Sequence, residues 1–317
     1  MEENSLTIEN EIAKHTKIKH ISMSGGASWG FQGFGILYQA IQEKFIDIHA
    51  IETCYATSVG AIVTTMILLK IDLHILMNYL VKRPWGNVWK ITLDDIIQSY
   101  QTKGIFDKKI IVEFFSPLLK SVDLSIDITM KQFYEYSGVE LHIYATELNQ
   151  FEFIDLSYKT HPDWLLLDAI YASCAIPSIF SPLFLGEQCF IDGGVFLNDP
   201  SCKCIEDVIQ KGGTIDEIFS IAKKDADSKI TISSELQNAN IFEFHRIIIR
   251  KLLYTIQEKC IKEKDEIVPV YEIQTECNTN TVDDVIAIIN STDMRKSKID
   301  EGIESAKEYL DRLLHRK

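Results

Sequence analysis

The chain has 317 residues, 46% of them hydrophobic and 25% charged, and its formal net charge is −14. That length supports one large domain or two small ones. The acidic balance repels a phosphodiester backbone and so disfavours nucleic acid as a partner. Seven cysteines include one C-x-C pair, Cys202 and Cys204, and no C-x-x-C pair, so a structural zinc site has no support. Cysteines inside apolar runs, such as Cys54, Cys174 and Cys189, read as small core residues in a reducing compartment.

The first residues, "MEENSLTIENEIAKHTK", are polar and acidic, unlike a signal peptide or a basic arm. Lys17–Met23 predicts a short strand, ending in the small-residue loop Ser24–Gly30. A helix follows, with Phe31, Phe34, Leu37, Tyr38, Ile41 and Phe45 at helical spacing. A second strand is predicted over Ala50–Tyr55, then the turn Ala56–Gly60 and a helix to about Leu69. Strand, turn and helix twice in about fifty residues is the rhythm of a parallel α/β sheet. "AIVTTMILL" is only nine residues, too short to span a bilayer. From Ile71 to Gly138 helices and loops dominate, with an apolar face at Ile110, Ile111, Phe114 and Leu118. Val139–Leu148 predicts a strand with "FEFIDL" pairing beside it, and "DWLLLDAIYASCAIPSIFSP" a helix stopped by Pro177. "QCFIDGG" predicts a strand with a glycine turn, and "EIFSIA" another strand. Asn240–Lys264 reads as a long amphipathic helix, "IVPVYEI" as a late strand and Arg295–Leu314 as a terminal helix. No repeat or linker divides the chain. The expected organisation is a polar segment over 1–16, a core over 17–222 and an extension over 223–317 packed on that core as a single domain.

Three loops carry chemistry. Ala56-Thr57-Ser58-Val59-Gly60 fits a nucleophile elbow, in which a sharp strand-to-helix turn pushes one side chain out of the sheet and its flanks must be small. Ser58 would sit at a helix N-terminus, where bare N–H groups favour negative charge; the plainer alternative is an ordinary N-cap serine. Ser24–Gly30 leaves several N–H groups available to one oxygen anion, with a phosphate cradle or a tight βα turn as alternatives. No lysine follows as in a P-loop, and the glycines miss the G-x-G-x-x-G spacing. Asp192-Gly193-Gly194 presents a carboxylate at a strand end; it is a candidate base or a turn-forming aspartate. All three loops fall at the carboxyl ends of strands, which in an open α/β sheet converge on one crevice. Among the histidines, His20, His142, His245 and His315 lie in strand, helix or tail positions that suit packing better than a Ser–His–Asp triad. Trp85 and Trp89 read as buried structural aromatics or as a lipid-facing lip.

Taken together, "MSGGASWGFQGFGIL", "YATSVGA", "YATEL", "AIYASCAIPSIFSPL" and "FIDGGVFLNDP", in that order and spacing over about 17–222, resemble the patatin-like phospholipase family. The resemblance implies a three-layer α/β/α fold with a mainly parallel central sheet. It implies a Ser–Asp dyad of Ser58 and Asp192, and an oxyanion hole from the N–H groups of Gly25, Gly26 and Ala27. Ala56, Gly60, Gly193 and Gly194 would support the elbow and the acid loop. The implied activity is hydrolysis of fatty-acyl esters of phospholipids and related lipids, without metal or cofactor. The expected location is the cytoplasm, with transient peripheral membrane contact. Three positions depart from the family pattern: Ala56 and Ala27 stand where glycine is usual, and Trp29 where a basic residue is usual. These departures leave open an alternative, a weak or inactive lipid-binding scaffold on the same fold.

Overall fold

The computed structural model describes residues 18–224, 268–276 and 282–315, with scattered positions between 244 and 256. The polar segment over 1–16 and most of the helix expected over 240–264 lie outside the described residues.

In chain order, β1 (His20–Met23) leads through a 3-10 turn into α1 (Gly30–Gln42), and β2 (Thr53–Thr57) runs directly into α2 (Val59–Leu68). Next come α3 (Leu73–Lys82), α4 (Trp85–Val88), α5 (Leu93–Thr102), β3 (Gly104–Phe106), α6 (Lys109–Ser121) and α7 (Met130–Ser137). The chain then forms β4 (Glu140–Glu147), β5 (Glu152–Leu156), α8 (Leu166–Cys174), β6 (Ser178–Phe180), β7 (Leu183–Leu185) and β8 (Gln188–Asp192). It continues through α9 (Ser201–Gln210) and β9 (Ile218–Lys224) to β10 (Tyr271–Glu276), α10 (Val282–Asn290) and α11 (Thr292–His315).

The central sheet runs β10-β9-β1-β2-β4-β8-β7, and β5 pairs with β4. The five strands from β10 to β4 are mutually parallel; β8, β7 and β5 join antiparallel. Alternation along the strands divides the core. Cys54 and Ala56 of β2, Leu141 and Ile143 of β4, and Phe219 and Ile221 of β9 face one layer, built mainly from α1, α2, α6, α8 and α11. Tyr55, Tyr144 and Ile218 face the other, where Cys204, Ile205 and Val208 of α9 cover them. The result is the expected α/β/α sandwich with unequal helical layers.

Two glycines bring α11 onto α1. A Cβ at Gly302 would lie 2.0 Å from the Gln32 carbonyl oxygen, and one at Gly35 would lie 2.1 Å from that of Ile299. The buried Arg295 joins α11 to the end of α3, donating to the carbonyls of Leu80, Val81 and Arg83. The helix expected to be stopped by Pro177 ends at Cys174, and the residues after the proline form β6, paired with β3. Proline's bias against helix at the preceding residue accounts for the stop, and three-residue strands carry no readable periodicity.

Candidate active site

Ser58 stands where β2 becomes α2, with φ 53° and ψ −127°, a region an L-residue enters only under strain. Its side chain does not cap the helix, which removes the plainer reading of that serine. Its backbone N–H donates instead to Ser173 Oγ at 2.8 Å, and that hydroxyl donates to the Tyr144 carbonyl at 2.5 Å. Ser173 lies on α8, so a helix buried against the sheet holds the strained turn in place. Gly60 is needed for close approach, since a Cβ there would fall 2.5 Å from the Met23 carbonyl oxygen. Ala56 is fully buried opposite Met23 of β1 and Ile143 of β4, and its methyl group is accommodated.

Strand register explains why Asp192 meets this serine from 134 residues away. β5 pairs with Ile143–Glu147, along one edge of β4. The opposite edge is shared: β2 ends at Thr57 against Tyr144, and β8 ends at Asp192 against Ala145. β2 runs parallel to β4 and β8 antiparallel, so their carboxyl ends abut one residue apart. Gly193 allows this abutment, because a Cβ there would sit 2.1 Å from the Tyr144 carbonyl oxygen. Ser58 Oγ donates to Asp192 Oδ2 at 2.6 Å, and the Gly194 N–H donates to Oδ1 at 2.6 Å. Asp192 is further fixed by its N–H to the Ala175 carbonyl at 3.0 Å and by Thr146 Oγ1 donating to its own carbonyl at 3.0 Å. Burial raises the Asp192 pKa to about 6, and the hydrogen bonds from Ser58 and Gly194 restrain the rise. Such a carboxylate is a stronger base than an exposed one and is still ionised at neutral pH.

The glycine loop lies beside this pair. A Cβ at Gly25 would be 3.1 Å from Ser58 Cβ and 2.5 Å from Asn198 Oδ1. The N–H of Gly25, expected among the oxyanion donors, is already given to the Asn198 carbonyl at 2.9 Å. Of the other two expected donors, Gly26 and Ala27, the N–H groups take no acceptor among the described residues. Ala27 adopts φ 48°, a conformation glycine would reach without cost. Trp29 is fully buried, its indole N–H donating to Thr275 Oγ1 at 2.9 Å, so it offers the site no polar group. Ser173 and Asn198 contact the Ser58 turn and the glycine loop, and sequence reasoning did not single them out. Both lie inside the quoted motifs, but neither shows a signal apart from position.

The histidines lie elsewhere. His142, at the amino half of β4, stacks on Tyr55 and faces Asp155 at 2.7 Å and Glu140 at 3.1 Å. Burial alone would lower its pKa, but the two carboxylates outweigh it and hold it at about 9. His20 bonds Thr53 at the opposite end of β1 from the glycine loop, and His315 bonds its own helix at Asp311. His245 lies outside the described residues. Trp85 is buried against Phe114, and Trp89 packs on Phe106 and Phe180. A cleft lined by His20, Glu52, Glu140 and Lys211 sits at the amino ends of the strands and touches none of the three loops. Among the described residues, no group of three or more His, Cys, Asp or Glu side chains is placed to hold a metal ion.

The profile of the patatin-like phospholipases matches residues 21–201, more than half of the chain and all three loops. The chain belongs to the patatin-like phospholipase family. A curated relative, the probable lipid hydrolase 463L of Invertebrate iridescent virus 6, is 27% identical over 184 residues, 57% of this chain and 61% of that protein. The chain thus matches about three fifths of that relative's length. VipD from Legionella pneumophila superposes on 93% of this patatin-like chain and 67% of its own, with a TM-score of 0.50 and 12% identity. ExoU of the type III secretion system of Pseudomonas aeruginosa aligns over 93% of this chain and 53% of its own, with a TM-score of 0.42 and 9% identity.

Proposed function

We propose that this patatin-like chain is a lipid acyl hydrolase of the phospholipase A type, cleaving fatty-acyl esters through Ser58 and Asp192. The observation that carries the reading is the 2.6 Å bond from a strained, non-capping Ser58 hydroxyl to a buried carboxylate. A lone serine is a poor nucleophile, and a base within hydrogen-bond reach is what activates it.

The chemistry runs in two halves. Asp192 Oδ2 takes the Ser58 proton while Oγ adds to the ester carbonyl carbon, and charge moves onto the carbonyl oxygen. The N–H groups of Gly26 and Ala27 and the amino end of α2 stabilise that oxyanion. The tetrahedral centre collapses, the lysolipid alkoxide leaves with the proton from Asp192, and the acyl group remains on Ser58. Water then gives a proton to Asp192 and attacks the acyl-enzyme. Collapse returns the proton to Ser58 and releases the fatty acid. The second Asp192 oxygen stays bonded to Gly194, which keeps Oδ2 aimed at Ser58 throughout.

Hydrolysis of a short-chain fluorogenic ester and of phospholipid vesicles by the purified protein tests this. Ser58→Ala and Asp192→Asn are each expected to lower turnover by about 10³-fold or more while leaving the circular dichroism spectrum unchanged. Either variant retaining wild-type turnover would exclude the assignment.

A further inference from the structure

The helix α5 is built inside out. Leu93, Ile96, Ile97 and Tyr100, at i, i+3, i+4 and i+7, form one stripe, and they are 78%, 52%, 72% and 93% exposed. The residues turned toward the protein are Asp95 and Ser99. The helix is nonetheless firmly placed. Thr92 and Asp95 form a complete capping box at its start, Lys103 caps its end in a left-handed conformation, and β3 follows at once. An apolar stripe on a fixed, capped helix has no folding role while it faces water.

We propose that α5 is a lipid-docking helix whose stripe enters the surface of an anionic bilayer and brings the Ser58 site to its substrate; this rests on the acyl-hydrolase reading for its substrate. Charge favours that occupant. The chain as a whole carries −14, yet residues 82–109 hold six basic and three acidic side chains; Lys108 is paired with Asp168, Lys109 with Asp107, and Arg83 packs over Tyr79 and Trp85, which leaves Lys82, Lys90 and Lys103. Lys90 and Lys103, both exposed, bracket the stripe, a placement suited to lipid phosphates. Lys103 Nζ also lies over the ring of Phe184, itself 55% exposed, which extends the apolar surface onto β7. The acids of the helix are Asp94, on its flank, and Asp95, bonded to Thr92.

Position favours it too. The Ala175 carbonyl holds Asp192; three residues on, Ser178 pairs with Gly104, and α5 ends at Thr102. The helix is thus anchored to the platform beside the site. A second copy of the chain is a poorer fit. A ten-residue helix is about 15 Å long, and its four side chains offer well under the ~800 Å² per partner of a stable dimer.

The test uses Leu93→Gln, Ile97→Gln and Tyr100→Gln combined, with phosphatidylglycerol–phosphatidylcholine vesicles. The triple variant is expected to lose at least about tenfold in vesicle co-sedimentation and in hydrolysis of vesicle phospholipid. Its turnover of a monomeric water-soluble ester should be unchanged. Ser58→Ala should co-sediment like the wild type, so loss of catalysis and loss of docking are read separately. Wild-type co-sedimentation by the triple variant overturns the proposal. So does a dimer that the variant dissolves without change in vesicle binding.

Discussion

At the scale of single residues, two quantities at the site lead to measurements. The first is the Asp192 pKa of about 6, raised by burial. The base must be ionised to accept the Ser58 proton, so kcat/KM is expected to rise with pH through a single ionisation near 6 and to level above it. The sign also holds for stability. The folded pKa lies above that of an exposed aspartate, so ionised Asp192 costs stability above pH 6, and that cost fades as pH falls toward 4. An ascending limb near pH 4, where free aspartate titrates, would contradict the burial argument. The second is the positive φ of Ser58. Glycine adopts that conformation freely and alanine does not. Ser58→Gly should therefore be more stable than Ser58→Ala by about 1 kcal/mol in chemical denaturation, with both inactive; equal stability would mean the turn is not strained.

At the scale of elements, the sheet positions the chemistry and the glycines set how closely its parts approach. The head-to-head meeting of β2 and β8 on one edge of β4 makes Ser58 and Asp192 neighbours. The larger helical layer depends on α1 and α11 touching backbone to backbone at Gly35 and Gly302. Gly302→Val is expected to lower the thermal midpoint by several degrees, about 2 kcal/mol or more of overpacking, and a neutral outcome would show the layer to be plastic. Much of this scaffold was legible in the sequence. β1, β2, β4, β5, β8 and β9 carry β-branched and apolar runs bounded by turn residues, and the three loops announced themselves by small residues at strand ends. The rest was not. β3, β6 and β7 are three residues each, too short for a period. Gly25 looked like a free donor because a backbone bond to Asn198, 173 residues away, leaves no trace in local pattern. The outward stripe of α5 has the periodicity of a core-facing helix, and only the placement of its neighbours shows which way it points.

For the whole molecule, a net charge of −14 coexists with two exposed lysines, Lys90 and Lys103, at the ends of α5, and no described helix is long and apolar enough to cross a membrane. Arg295 and the β9–β10 ladder tie the C-terminal helices to the family core, so the residues beyond the matched span 21–201 complete the sheet and one helical layer. The account depends on Ser58 being the one hydroxyl in the fold that Asp192 activates. Treating the whole protein with a fluorophosphonate and mapping the adduct by peptide mass spectrometry tests this most directly. The predicted result is a single stoichiometric adduct on Ser58, strongly slowed in Asp192→Asn. An adduct on any other residue, or labelling of Ser58 at an unchanged rate without the Asp192 carboxylate, would contradict it.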